Sequence, residues 1–350
     1  MAVVMLETNT ALRTAWPALL TLVACGGSSS GTSTGMGAPV PPDAPCATSP
    51  GITTLLTGYA YAIALKGSDV YLATMMGLLR APAAGGVPTS LTPSTEVNAL
   101  AIDAANAYYV ASHDVGTPNP QGKVSSTTAL YTVPLSGGAP RILVDGAFGL
   151  EIATDGTWVW WSGGGLQGLK VGTPCTPVNF PLEPGATVEA IAVGRDSLFL
   201  AVYAISTQGA SGPGTGSIRR AKKDGSGVMT IVSGLEHPTA IALDEDAVYF
   251  NEAGSASGGI SRAGLDGSGV TMVARVLTAS LAVDEHAVYF ATADAIQKVP
   301  KTGGAVQSVA SGLKSPGTLA LSGGNVYWVD GTSVAASDPH PDYAVLTTCK

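Results

Sequence analysis

The stretch IALDEDAVYF at residues 241–250 returns as LAVDEHAVYF at 281–290, and five looser copies stand elsewhere in the chain. They are IALKGSDVYL (63–72), LAIDAANAYY (100–109), IATDGTWVWW (152–161), IAVGRDSLFL (191–200) and LALSGGNVYW (319–328). Every copy opens on Ile or Leu followed by Ala. Every copy also places an aromatic eight residues after its start: Tyr71, Tyr108, Trp160, Phe199, Tyr249, Tyr289 and Tyr327. Recurrence in one register means a small unit repeated, and such a unit buries its faces only by stacking on its neighbours.

A second module trails the first. GGISRAGLDGSGV (258–270) aligns without gaps to GSIRRAKKDGSGV (216–228) and more loosely to DAIQKVPKTGGAV (294–306), TALYTVPLSGGAP (128–140) and MGLLRAPAAGGVP (76–88). Its Asp-Gly and Gly-Gly steps suit the positive backbone angles of tight hairpin turns. Short β-rich runs follow, such as MTIVSG (229–234) and QSVASG (307–312). Each unit therefore predicts four short antiparallel strands without a helix, which is the pattern of a β-propeller with seven blades. A pair of β-sandwiches is the rival architecture, but it does not demand seven identical registers. Composition agrees: 12% of residues are charged, against 45 Gly and 23 Pro, which favours strands and turns over long surface helices. A formal net charge of −8 argues against nucleic acid as a partner, because phosphates call for a basic face.

The N-terminal 50 residues read as an address. AWPALLTLVAC (15–25) is an apolar run too short to span a bilayer and suited to a signal-peptide core, although Glu7 stands beside Arg13 in the leading segment. Leu22-Val23-Ala24-Cys25 resembles the bacterial lipobox. That resemblance implies cleavage after residue 24, lipidation of Cys25, export, and anchoring in the cell envelope, with the outer membrane as the expected address. A buried strand opening the fold is the other reading. Residues 25–50, rich in Gly, Ser and Pro, form a flexible tether, and the propeller occupies 51–350.

HPTAIALDEDAVYFNEAGSASGGISRAGLDGSGVTMVA (237–274), together with VYWVD (326–330), resembles a repeat of the YWTD-type propellers of low-density-lipoprotein-receptor-like proteins. The resemblance covers roughly residues 51–350 and is strong in the last three repeats. It implies a platform for binding a ligand or protein, with no catalytic residues. That family closes with six blades, so six is the alternative to the seven cores counted in this chain.

Four cysteines, Cys25, Cys46, Cys175 and Cys349, leave room for a disulfide without forming a framework. ITTLLTG (52–58) reads as an outermost strand lacking its blade, and YAVLTTC (343–349) as the outermost strand of the last blade. Closure of the ring by its terminal strands would bring Cys46 and Cys349 together, so a bridge between them is expected, with no bridge as the alternative.

GTSTG (31–35) matches the serine-hydrolase elbow and GGGLQG (163–168) a dinucleotide fingerprint, but one lies in the tether and the other in a turn between strands. His113, His237, His286 and His340 have no metal-ligand spacing. Asp103, Asp155, Asp244 and Asp284 recur at one core position, as side chains that form Asx turns would. RRAKK (219–223) sits on a repeat strand, with Arg220 aligned to Arg262 and Lys298 as one long cation per repeat. No cofactor and no metal are called for. Function is expected where the copies differ. Around the start of the innermost strands stand Tyr61, Asn98, Glu151 and Glu189, a polar group on one side of the ring able to hold a cation or polar ligand at the axial mouth. Insertions at 112–127 and 203–217 are candidate recognition loops. These features predict a lipid-anchored envelope propeller that binds an unidentified protein or other ligand without catalysis. The alternative is a metal-dependent propeller enzyme, lactonase- or lyase-like, with acids at the axial mouth.

Overall fold

A computed structural model describes residues 51–331 and 344–350, apart from 59, 94, 116–124, 164, 173–175, 205–214, 254–257 and 279. These residues form seven four-stranded antiparallel sheets. After β1 (Thr53–Thr57), blade 1 comprises β2 (Ala62–Lys66), β3 (Asp69–Thr74), β4 (Gly77–Pro82) and β5 (Thr89–Ser90). Blade 2 is β6 (Val97–Ile102), β7 (Asn106–Val115), β8 (Ser125–Pro134) and β9 (Arg141–Asp145). Blade 3 is β10 (Ile152–Thr154), β11 (Trp158–Ser162), β12 (Leu166–Lys170) and β13 (Val178–Asn179). Blade 4 is β14 (Ala186–Val193), β15 (Ser197–Ala204), β16 (Gly216–Lys222) and β17 (Met229–Leu235). Blade 5 is β18 (Ile241–Leu243), β19 (Ala247–Asn251), β20 (Ile260–Gly264) and β21 (Thr271–Ala274). Blade 6 is β22 (Leu281–Val283), β23 (Ala287–Ala291), β24 (Ala295–Pro300) and β25 (Gln307–Ser311).

Blade 7 closes the ring. Its order is β26 (Pro316–Ser322), β27 (Asn325–Asp330), β28 (Ala344–Cys349) and then β1. Thr53 pairs with Thr347 and Thr57 with Ala344, so the two ends of the propeller share one sheet. This corrects one expectation: β28 is the third strand of its blade, and β1 takes the outermost place. The count is seven blades, not six.

Two adjacent large side chains on each second strand explain the stacking. Successive residues of a strand face opposite sides. Tyr249 therefore enters the core between blades 5 and 6, while Phe250 enters the core between blades 4 and 5. Trp160 and Trp161 divide in the same way between the 3–4 and 2–3 interfaces, and Tyr108 and Tyr109 between 2–3 and 1–2. All seven repeat aromatics are buried. The hydrophobic clusters fall one to each interface, including the closing one, where Tyr327 and Val345 of blade 7 meet Ile63 and Leu72 of blade 1.

The recurrent acids are scaffold. In blades 2, 3, 5 and 6 the aspartate Oδ1 accepts two backbone N–H bonds from the turn it opens; Asp244 receives those of Asp246 (2.9 Å) and Ala247 (2.8 Å). Oδ2 reaches outward. Lysines of the following blade meet it at three junctions: Lys223 on Asp155 (2.8 Å), Lys301 on Asp244 (2.9 Å) and Lys350 on Asp284 (3.2 Å). Burial alone would raise these three carboxyls, but the lysines and N–H donors hold them below the ordinary carboxylate range. The turns between third and fourth strands carry the expected left-handed glycines, Gly225 (φ 87°), Gly267 (φ 87°) and Gly303 (φ 85°).

Candidate functional site

Antiparallel blades put the connections between successive blades and the second-to-third-strand loops on one face, and the other turns on the opposite face. Tyr61, Asn98, Glu151 and Glu189 all belong to the first face, but they do not form one group. Glu151 and Glu189 line a common cavity of about 270 Å³ between blades 3 and 4. Asn98 and Tyr61 are not among its lining residues; the Tyr61 hydroxyl donates to Glu96 at 2.6 Å instead. The expected four-residue cluster thus divides into a carboxyl pair and separate polar groups.

Local geometry builds the pair. In β14 the pairing steps from Val188–Val202 to Ala190–Ala201, leaving Glu189 in a β-bulge, a device that redirects a side chain at a sheet's end. Its Oε1 accepts from the Thr187 hydroxyl at 2.9 Å. Asn98 occupies the same kind of bulge in β6. Glu151 precedes β10 and is tied by its carbonyl, which accepts the Ser162 N–H at 3.0 Å. Burial, and then the Glu189 charge, push the Glu151 carboxyl up to about 7. Glu151 is therefore about half protonated at neutral pH.

Beside the pair the surface is apolar. Phe148 is 60% exposed and Leu150 68% exposed, and both line the cavity. Gly149 and Gly163 explain why the segment stands there. A Cβ on Gly163 would overlap the Phe148 carbonyl, and one on Gly149 the Ser162 carbonyl, so glycines alone let the two backbones touch. Sequence reading gave Phe148 no role, because it lies outside the repeat frame.

Other candidates resolve plainly. GGGLQG opens β12 with no helix, so it offers no helix N-terminus. In RRAKK, Arg219 pairs with Glu183, Arg220 Nε donates to Ser197 Oγ at 3.0 Å, and Lys223 clasps Asp155. The insertion at 112–127 begins and ends as ladder, with His113 opposite Thr127; its tip, most of 203–217, His340 and GTSTG lie outside the described residues. Cys349 is disulfide-bonded. Cys25, Cys46 and Cys175 also lie outside the described residues, while the Thr348 hydroxyl contacts the Gly51 carbonyl at 3.4 Å, placing Cys349 beside the start of the propeller. Among the described residues no three His, Cys, Asp or Glu side chains gather as a metal site would require.

The class of protein is a seven-bladed β-propeller. No protein-family model matches the sequence, and no curated protein matches it. Solved structures are similar in fold. A GH74 enzyme of Niastella koreensis superposes with a TM-score of 0.59 at 15% identity, over 83% of this chain and 55% of the enzyme. A puromycin-hydrolyzing peptidase of Mycobacterium tuberculosis gives 0.56 at 16%, over 80% and 52%. The extracellular domain of a hybrid two-component system of B. thetaiotaomicron gives 0.60 at 11%, over 86% and 40%. The chain thus spans about half the length of these structures or less. Identity this low carries the fold and not the activity, since one fold hosts many functions.

Proposed function

We propose that this protein is an exported, lipid-anchored binding module of the cell envelope, held by Cys25 and presenting its first face to a partner. The platform role implied by YWTD-type repeats agrees with this reading, although seven blades depart from that family's six. One observation carries the proposal: exposed Phe148 and Leu150 flank a half-buried carboxyl pair at the one place where the axial residues converge. An apolar anchor beside a desolvated charge is how a small contact gains both energy and selectivity. The expected partner carries an apolar side chain next to a cation. Its positive charge would displace the proton of Glu151, so affinity rises with pH through 7.

Capture from envelope extract tests this, using the chain from Cys46 to Lys350. A stoichiometric partner retained by this chain and lost with Phe148→Ser and Leu150→Ser supports the binding reading. Equal retention by both refutes it. For the anchor, Cys25→Ser should release the full-length protein from membranes, and unchanged membrane retention would refute lipidation.

A second reading has one observation in its favour. A carboxyl titrating near 7 beside a second carboxyl suits general acid–base chemistry. The metal-dependent form of that reading asks for three converging ligands, and the cavity supplies two carboxyls, with Asn98 elsewhere. Turnover of a lactone panel abolished by Glu151→Gln would favour the enzyme.

A further inference from the structure

The interface between blades 4 and 5 breaks the rule that its neighbours keep. At the clasp position of blade 4 the aspartate is replaced by Gly194, and the lysine that should come from blade 5 is Leu265. Phe199 replaces the tyrosine whose hydroxyl meets the aspartate Oδ2 in blades 2 (2.7 Å) and 5 (2.9 Å). Carboxylate, ammonium and hydroxyl are missing together, and a cleft of about 670 Å³ opens there, on the face opposite Glu151.

The donors that served the aspartate are still in place. The turn keeps its geometry, with Gly194 N–H donating to Ser197 O at 2.8 Å, just as Asp244 N–H donates to Ala247 O at 3.1 Å. The amides of Asp196 and Ser197 correspond to those that bind Oδ1 in blades 2, 3, 5 and 6, and here no aspartate receives them. Arg220 lines the same cleft. Its guanidinium lies over the Phe199 ring at 5.8 Å, Nε is spent on Ser197 Oγ, and its terminal nitrogens make no hydrogen bond among the described residues. Val193, Leu243 and Leu265 supply apolar wall. At the rim the exposed acids Asp196, Glu245 and Asp246 outnumber the exposed Arg195. Asp244 is already taken by Lys301, and Asp266, which feels Arg220, by Ser268.

We propose that this cleft binds a zwitterionic amino acid or short peptide with an apolar side chain, its terminal carboxylate standing where the neighbouring blades place an aspartate. Within this same chain, four carboxylates already occupy the equivalent position, so the chemistry of the donors is demonstrated. Paired backbone amides are a recurrent cradle for a terminal carboxylate. Arg220 strengthens the hold by charge. The rim acids repel a simple anion and attract an ammonium, which selects a zwitterion over a fatty or dicarboxylic acid.

Calorimetric titration of the intact mature protein at pH 7 with Leu-Leu, its C-terminal amide and its N-acetyl form tests the site. Leu-Leu should bind, the amide at least tenfold more weakly, and the acetylated form several-fold more weakly. Gly194→Asp refills the position from the chain and should cut Leu-Leu affinity at least tenfold. A Cβ at Gly194 comes 3.1 Å from the Phe199 ring, so Arg220→Gln, with the same expected loss, keeps the test decisive if that variant misfolds. No heat from Leu-Leu at about 1 mM overturns the proposal, as does equal binding of the amide or undiminished binding by both Gly194→Asp and Arg220→Gln.

Discussion

Replacing Glu151 by Gln should make the protein more stable above neutrality while leaving it almost unchanged in acid. The carboxyl moves from its ordinary 4.5 when unfolded to about 7 when folded, first because burial removes water and second because Glu189 is charged nearby. Between those values the folded state holds a proton that the unfolded state has released. Stability contributed by this group is therefore present at low pH and lost as pH rises through 7. A tenfold change in proton affinity is worth about 1.4 kcal/mol, which bounds the loss near 3 kcal/mol. Glu151 keeps some contact with solvent, so about 1–2 kcal/mol is the expected size after screening. Urea unfolding of both proteins at pH 5 and pH 8.5, extrapolated linearly, reads this directly. Subtracting the two curves cancels the titrating groups that do not interact with Glu151. Glu189→Gln should lower the Glu151 pKa only partly, since burial is the larger cause. Parallel curves for Glu151→Gln and the unaltered protein would refute the reasoning, because a group that ionises equally in both states contributes no slope.

Asn251 is 1% exposed; its side chain accepts from the amides of Thr239 (3.0 Å) and Ala240 (2.7 Å) and donates to Thr239 Oγ1 and the Thr278 carbonyl, joining blade 5 to the entry of blade 6. Asn251→Ala leaves these groups buried without partners, and at about 1–3 kcal/mol for each unmet group the expected cost is about 3–5 kcal/mol in urea unfolding; a cost below about 1 kcal/mol would show that water replaces the amide freely. Peptide mapping of unreduced protein should recover Cys46 linked to Cys349, and reduction should cost up to about 5 kcal/mol for a loop this long. A Cys175–Cys349 peptide would refute that closure.

The scaffold was legible because it repeats. Ile or Leu then Ala on the innermost strand, and the aromatic on the second, each recur seven times, and all seven aromatics are buried. The Asx role of the four aspartates was legible for the same reason. The order of closure was not. YAVLTTC has the composition of any third or fourth strand, and only the pairing of Thr53 with Thr347 ranks it third. The axial cluster was half legible. Position in the frame located Glu151 and Glu189, but a bulge redirects Glu189, and Tyr61 is taken by Glu96, a residue that no repeat marks. Phe148 owes its exposure to two glycines on different segments, a contact between backbones that leaves no periodic trace.

The seven copies also serve as controls for one another. Three junctions hold an aspartate and the lysine that answers it, and the 4–5 junction holds neither, with Gly194 opposite Leu265. Loss of the pair alone is not distinctive, since the 1–2 and 7–1 junctions also lack it, with Lys66 opposite Leu135 and Ser322 opposite Ala83; but blades 2 to 6 close this turn with the same backbone bond, and blade 4 is the one of the five without an aspartate. Asp103 keeps its turn without a lysine: it faces none in blade 3 and satisfies Oδ2 with Tyr108. At Gly194 the tyrosine hydroxyl is gone as well, so all the side-chain polar groups of the clasp left while the two amide donors and the long cation stayed. A surface relaxed by drift would fill with whatever side chain fits. A cleft that keeps donors for a carboxylate and excludes the chain's own carboxylate is shaped for one supplied from outside.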